Sequence, residues 1–299
     1  MSMVPVQPLG DADLAAPSDQ AFWRDTWRHF RRNRLAVVGL AIIVVLVVLA
    51  ILAPVITRYD YAAIDTESRN LPPFSGDHWF GTDNIGHDVF SQVIYGIRVS
   101  LLVGFLVAIF STVLGVIFGA LSGYLGGLVD AAIMRVVDMF LAIPYIILTV
   151  ALVGVIGRGL SAVIIALIVS GWFVVARVVR ASFLQLKEQE FVQAARALGY
   201  GRLRIMFRHI LPNALQPVIV YATLAIGGAI LAEAALSFLA IGVLPPTPSW
   251  GLLVAENKGL LASQPHLVFF PGGAIFITVL AFVFIGDGLR DALDPRLRS

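Results

Sequence analysis

Residues 177–217 read RVVRASFLQLKEQEFVQAARALGYGRLRIMFRHILPNALQP, the longest polar interruption in the apolar two-thirds of the chain that follows Arg98. Seven basic residues (Arg177, Arg180, Lys187, Arg196, Arg202, Arg204 and Arg208) stand there against two acids, Glu188 and Glu190. A loop so rich in lysine and arginine, set between apolar runs, stays on the cytoplasmic side of a membrane, and this assignment orients everything around it. Within it, the run from Gln193 to Leu198 fits a short helix on which Phe191, Ala194, Ala195 and Leu198 share a face at spacings of three and four. Gly199 supplies a helix stop. Pro212 is tolerable only in the first turn of the helix it opens, so a new apolar helix starts at Ile210 and Leu211. The expectation is a small helix hung between two membrane spans.

Composition agrees with a membrane setting. Of 299 residues, 59% are hydrophobic and 13% charged, against roughly 45–50% and about 25% in a soluble domain. The absence of cysteine excludes disulfide frameworks, thiol nucleophiles and cysteine-based zinc or iron–sulfur sites. The net charge of +2 is small, but Arg24, Arg28, Arg31, Arg32 and Arg34 all precede the first apolar run. That is a positive-inside pattern and not a nucleic-acid patch. Neither lysine follows a glycine, Lys187 coming after Leu186 and Lys258 after Asn257, so the chain carries no phosphate-binding Gly-Lys-Ser/Thr loop of its own.

Residues 1–34 read as a cytoplasmic N-terminal tail. Its first part, 1–18, has no periodicity. In 19–33, Phe22, Trp23, Trp27 and Phe30 recur at helical spacing beside the arginines, which fits an amphipathic helix on the cytoplasmic membrane face or, more blandly, a solvated lead-in. The uncharged run 35–57 is 23 residues long, enough to cross a hydrocarbon core of about 30 Å, and is read as an uncleaved first span. Residues 58–97 form a polar, acidic extracytoplasmic loop. Span two and a turn near 123–127 fall within 99–129, and Asp130, Arg135 and Asp138 mark a short inside connection. Spans three and four occupy 139–157 and 159–176, joined outside through Gly157, Arg158 and Gly159. Span five runs from 210 to about 232. The apolar piece 234–243 is too short to span, which places 233–264 outside or re-entrant. Span six is 267–286, and 287–299 is a cytoplasmic tail. The fold expected is all-α, a polytopic membrane protein of six transmembrane helices with both termini cytoplasmic. There is no internal repeat.

Gln193-Ala194-Ala195, three residues, Gly199, nine residues, then His209-Ile210-Leu211-Pro212 resembles the EAA loop of the membrane subunits of bacterial ATP-binding-cassette (ABC) importers. Gln193 stands at that motif's glutamate and His209 at its usual isoleucine. The form Arg208-His209-Ile210-Leu211-Pro212-Asn213 is similar to the peptide-transport branch, as are HWFGTDNIGHDVFSQVIYGIRVSL (78–101), EAALSFLAIGVLPPTPSWG (233–251) and GDGLRDALDPR (286–296). On these segments the chain is identified as a member of the dipeptide/oligopeptide/nickel permease family, C-type subunit. Trp79, Phe80 and His87 depart from the family pattern in the external segment. The resemblance implies a type I ABC importer (MetI-like) transmembrane domain over 98–286, with the coupling loop at 177–212. It implies a heterodimeric path formed with a homologous B-type permease, two ATPase subunits that hold ATP and Mg, and an extracytoplasmic solute-binding protein, in the bacterial inner membrane. Gln193, Ala194, Ala195, Arg196, Leu198, Gly199, Arg208, His209, Leu211 and Pro212 would then be the ATPase-coupling residues. No residue is catalytic and no cofactor belongs to this chain.

Four other groups invite functional readings. His78, Asp83, His87 and Asp88 are ligand types for nickel or zinc, or else they cap and turn a structured external segment, which the GTD and GxD pattern favours. Glu233 and Asp138, at the ends of spans, either line the substrate path or sit at the interface, Asp138 having Arg135 as an available partner. Tyr145, Trp172 and Tyr221 face the path or belong to interfacial belts. Pro144 and the Gly227-Gly228 pair either loosen their helices or serve tight packing. An ion-gradient-driven transporter or channel is the rival function, although several buried charges or an inverted repeat would mark it. A mere anchor for an ATPase leaves the external segments without a task.

Overall fold

The computed structural model describes residues 19–293, with side chains from Arg24 onward. The tail at 1–18, and Asp294 and Arg296 of the C-terminal tail, lie outside the described residues. The elements are α1 (Asp19–Arg32), α2 (Arg34–Ile56), α3 (Val89–Leu125), α4 (Gly127–Leu141), α5 (Tyr145–Ile156), α6 (Leu160–Leu186) and α7 (Glu190–Ala197). There follow α8 (Arg202–Phe238), which contains a π turn at Ile205–Ile210, then α9 (Trp250–Asn257) and α10 (His266–Leu293). Among the described residues no strand forms, only two isolated bridges. Among the described residues five helices are long and apolar enough to cross a membrane, and α4 with α5 pass the same test only together, as a pair bent by 93° that is either a broken span or a re-entrant loop.

Several expected boundaries move, each for a local reason. The external segment ends at Asp88, not near 97, because Asp88 caps α3 by accepting from the Ser91 N–H at 2.8 Å. Helix α3 therefore begins nine residues earlier and carries Arg98 inside it. Span three is not a single helix. Pro144, at φ −55 and ψ 131, stands between α4 and α5, where it has no N–H to continue the ladder and biases the residue before it away from helical angles. Asp130, Arg135 and Asp138 consequently lie on a helix, α4, and not in a connecting loop. Helix α8 runs through Glu233 to Phe238, so the 234–243 piece is partly the end of this span, and α10 continues past 286 to Leu293. The turn at Gly157 and Gly159 stands as expected, at φ 112 and 118, a region open to glycine.

Helix α1 packs back onto the rest of the chain. Its Phe30 is buried with Ala36 and Ala292, and Asn33 caps α2 through the Ala36 N–H while donating to Asp291 at 3.3 Å. The arginines 24, 28, 31 and 32 are exposed. At the opposite end, Trp250 of the short helix α9 is fully buried, and its Nε1–H donates to the Val93 carbonyl at 3.0 Å. A Cβ on Gly96 would come within 3.0 Å of its ring. This one side chain seats α9 on α3, and Glu233 completes the seat by accepting from Ser237 at 2.8 Å and from Ser249, the α9 cap, at 2.7 Å.

The segment 58–88 is a compact cap. Asp83 Oδ1 accepts from the backbone N–H groups of Ile85, Gly86 and His87, while its Oδ2 takes the His87 Nδ1–H at 2.8 Å. His78 Nδ1–H donates to Asp88 Oδ1 at 2.8 Å. Each imidazole is thus committed to a carboxylate already occupied with turns or a helix cap, and among the described residues no three His, Asp or Glu side chains gather in a metal-binding group. Truncating both imidazoles, His78→Ala with His87→Ala, is expected to destabilise the cap by about 1–3 kcal/mol per lost buried hydrogen bond. Elemental analysis is expected to find no nickel or zinc in either the parent or the variant. Stoichiometric metal in the parent that disappears in the variant overturns the capping reading.

Candidate functional site: the coupling loop and the cavity above it

Helix α7 is only eight residues and would not hold its shape alone. Its stability comes from burying Val192 and Ala195 in a cluster with Phe183 of α6 and Ile205, Met206 and Ile210 of α8. Of the four apolar residues expected to share a face, only Ala195 is buried; Phe191, Ala194 and Leu198 point outward. The buried pair lies at a spacing of three, as Val192 and Ala195, one position off the expected set. What remains outside is an apolar rim, Phe191, Leu198, Leu203 and Phe207, flanked by exposed Arg196 and Arg208.

The helix ends in a Schellman motif: the Gly199 N–H reaches the Arg196 carbonyl at 3.0 Å and the Tyr200 N–H the Ala195 carbonyl at 3.2 Å, with Gly199 at φ 78. Tyr200 then stacks on half-buried His209, centroids 5.6 Å apart, and the Arg204 guanidinium lies over the Tyr200 ring, 4.5 Å from its centroid. Gln193 is exposed, its Nε2 donating to the Glu188 carbonyl at 3.0 Å. The π turn through Arg208 and His209 ends where Leu211 N–H bonds back to Met206. It immediately precedes Pro212, which has no N–H to extend an α ladder and occupies the first turn of the following helix.

Two ion pairs brace α4 against α6 at this end. Arg180 grips Asp130 with both Nε and Nη2, at 2.6 and 2.7 Å, in a partly buried fork. Asp138 pairs with Arg177, not with Arg135. The Asp130–Arg180 fork escaped the sequence reading because nothing in the local pattern links residues on different spans.

A cavity of about 340 Å³ lies between α3, α5, α6 and α8. Its walls hold Ser111, Thr112, Tyr145, Ser170, Tyr221 and Gly228 among aliphatic residues, and no charged side chain. Of the path residues expected from sequence, Tyr145 is on this wall. Trp172 packs instead against Phe118 and Phe173, centroids 4.8 and 4.4 Å away. Glu233 is fully buried at the α9 seat and Asp138 is exposed beside Arg177, so neither reaches the cavity. Gly228 opens onto free space, while Gly227 packs on Val279 and Phe282.

A family model described as binding-protein-dependent transport system inner membrane component matches residues 115–299, and one for the N-terminal TM domain of oligopeptide transport permease C matches 21–73. The chain belongs to this permease family. It is 43% identical to the oligopeptide transport system permease protein OppC of Bacillus subtilis, over 97% of this chain and 95% of that one. It is 43% identical to the dipeptide transport system permease protein DppC of Alkalihalophilus pseudofirmus, over 93% and 91%. It is 45% identical to the glutathione transport system permease protein GsiD of Salmonella typhimurium, over 93% and 91%. Among solved structures, a chain of the MetNI methionine ABC transporter in an inward-facing conformation superposes with a TM-score of 0.57 at 24% identity, covering 68% of this chain and 96% of that one, a likeness of fold alone. The protein is thus a C-type permease subunit of an ABC importer, a multi-pass protein of the inner membrane with a MetI-like helical fold.

Proposed function

We propose that this permease subunit forms half of the path by which an ATP-driven importer takes up peptides. A B-type permease supplies the other half, two ATPase subunits holding ATP and Mg bind at the loop, and an extracytoplasmic solute-binding protein delivers cargo at the cap. Both termini are then cytoplasmic. The observation that carries this reading is the loop itself: a short helix cored by Val192 and Ala195 presents exposed Phe191, Leu198, Leu203 and Phe207 from a rigid base. An apolar rim of this kind among arginines, on a chain without its own phosphate-binding loop, fits a docking groove on a partner that hydrolyses ATP. Differential contact of the rim with two states of the ATPase pair would bias the path between inward-facing and outward-facing forms.

The peptide assignment draws on the named relatives and on the chemistry of the cavity. Hydroxyls of Ser111, Thr112, Ser170, Tyr145 and Tyr221 among aliphatic walls suit a solute whose constant feature is its backbone amides and whose side chains vary. No wall charge selects one side chain over another. Selection would then rest on the binding protein.

Purification of the chain from its native membrane in mild detergent, followed by mass spectrometry of what accompanies it, tests the reading. Co-purifying ATPases, a second permease and a peptide-bearing binding protein are the expected result. A lone homo-oligomer, or uptake that persists after the ATPases are deleted, overturns it.

A further inference from the structure

Arg98 sits about two and a half turns inside α3, level with the middle of the last turns of α2. Its position answers a defect in the neighbouring helix. Pro54 lies within α2 and has no N–H to give the Ala50 carbonyl four residues before it. Arg98 fills that vacancy: Nε donates to the Ala50 carbonyl at 2.6 Å and Nη2 to the Ile51 carbonyl at 3.3 Å, while the guanidinium lies 5.1 Å from the Tyr95 ring centroid. Two backbone carbonyls and a ring face do not neutralise a full charge. Among the described residues Arg98 has no carboxylate partner, and a guanidinium has five N–H donors, of which these bonds use only part.

The same arginine heads a crevice of about 550 Å³ between α2 and α3, walled by Val47, Ile51, Leu101, Leu102 and Phe105. Ile51, Leu102 and Phe105 are exposed and look sideways from two spanning helices, toward acyl chains and not toward bulk water. An uncompensated arginine near hydrocarbon is unfavourable, and a phosphate is the anion whose oxygens match the planar guanidinium fork. We propose that this crevice is a lipid site: the phosphate of an anionic phospholipid rests on Arg98, and one acyl chain lies along Val47, Ile51, Leu102 and Phe105. The leaflet is the one on the side of the 58–88 cap, the outer leaflet if the orientation proposed above holds; the site itself does not depend on that orientation. The apolar, laterally open walls favour a lipid over free phosphate.

The test must separate lipid binding from the repair of α2. Pro54→Ala restores an N–H for the Ala50 carbonyl, so in this background Arg98→Gln removes the charge without leaving that carbonyl bare. The full chain is placed in nanodiscs of phosphatidylcholine alone or of equal parts phosphatidylcholine and phosphatidylglycerol, and retained lipid is counted by native mass spectrometry beside the thermal midpoint. The parent and Pro54→Ala are expected to keep phosphatidylglycerol several-fold in preference to phosphatidylcholine and to melt higher with it. Pro54→Ala combined with Arg98→Gln loses both effects while remaining folded. Equal preference with and without Arg98, or equal retention of the two lipids, overturns the proposal. So does a matching rise in midpoint when inorganic phosphate is added to discs of phosphatidylcholine alone, which assigns Arg98 to a free anion.

Discussion

Gly199→Val is expected to cut uptake roughly tenfold or more while the chain still inserts and holds its partners. The left-handed conformation costs a residue with a Cβ about 1–2 kcal/mol, and a β-branched one suffers most. Gly199 has φ 78, and nothing lies within 4 Å of the point where a Cβ would stand, so the cost is conformational and not a clash. The strain is relieved by opening the Schellman motif, which frees the Arg196 and Ala195 carbonyls and swings Tyr200 off His209. Leu198 and Leu203 then leave the rim proposed as the ATPase docking surface. The cluster around Val192 and Ile210 is untouched, so insertion and assembly survive. Uptake and ATP hydrolysis measured in the same proteoliposomes are expected to part company, hydrolysis continuing without transport. Gly199→Asn, which tolerates this region, should retain most uptake. Normal coupling in Gly199→Val removes this loop from the energy path.

The apolar runs, the basic loop and its glycine were legible because each depends on local composition: run length against bilayer thickness, charge bias, and one backbone angle. What stayed hidden depends on residues far apart in the chain. Trp250 bonds a carbonyl 157 positions away, and Arg98 answers Pro54 across two helices, the Ala50 contact spanning 48 positions. In the sequence Arg98 reads as the boundary between the polar loop that ends at 97 and span two, because a charge normally marks an edge. It lies inside the span because a proline elsewhere left a carbonyl for it. The bend at Pro144 was hidden differently. The charges Asp130, Arg135 and Asp138 made most of α4 read as a connection, while its apolar end at 139–141 merged by hydropathy with α5, so the turn between the two helices was invisible in the local pattern. The burial of Val192 in place of Phe191 and Leu198 was missed since a helix of eight residues offers two overlapping apolar faces, and α6 and α8 choose between them.

The most severe structural loss is expected where α3 packs on α6, and Gly119, the middle of three glycines there, tests it. Gly115, Gly119 and Gly123 lie at successive spacings of four along α3 and bring it against α6, where added Cβ atoms would stand 2.4 Å from Val175 Cβ, 2.5 Å from the Ala176 carbonyl oxygen and 2.6 Å from Phe183 Cβ respectively. At Gly115 and Gly123 the nearest atom is a Cβ, which the backbone of α6 fixes in place, with backbone atoms of Ala176 and Arg180 at 3.0 and 2.9 Å. At Gly119 it is a backbone carbonyl already placed by helix α6, which cannot turn aside, so the helices must separate. Gly119→Ala is expected to destabilise the chain by about 1–3 kcal/mol through overpacking, despite the better helix propensity of alanine. Gly119→Leu should leave little folded protein. The consequence reaches the loop, because α6 carries Arg177, Arg180 and Phe183, which brace α4 and core α7. A shift of α6 away from α3 therefore disturbs coupling before the chain unfolds. Gly228→Ala, at a glycine facing open cavity, provides the matched control and is expected to change the midpoint little. Thermal melts of the three variants in detergent decide the matter: a Gly119→Ala protein as stable as Gly228→Ala would mean that α3 and α6 are not held at the distance their glycines allow.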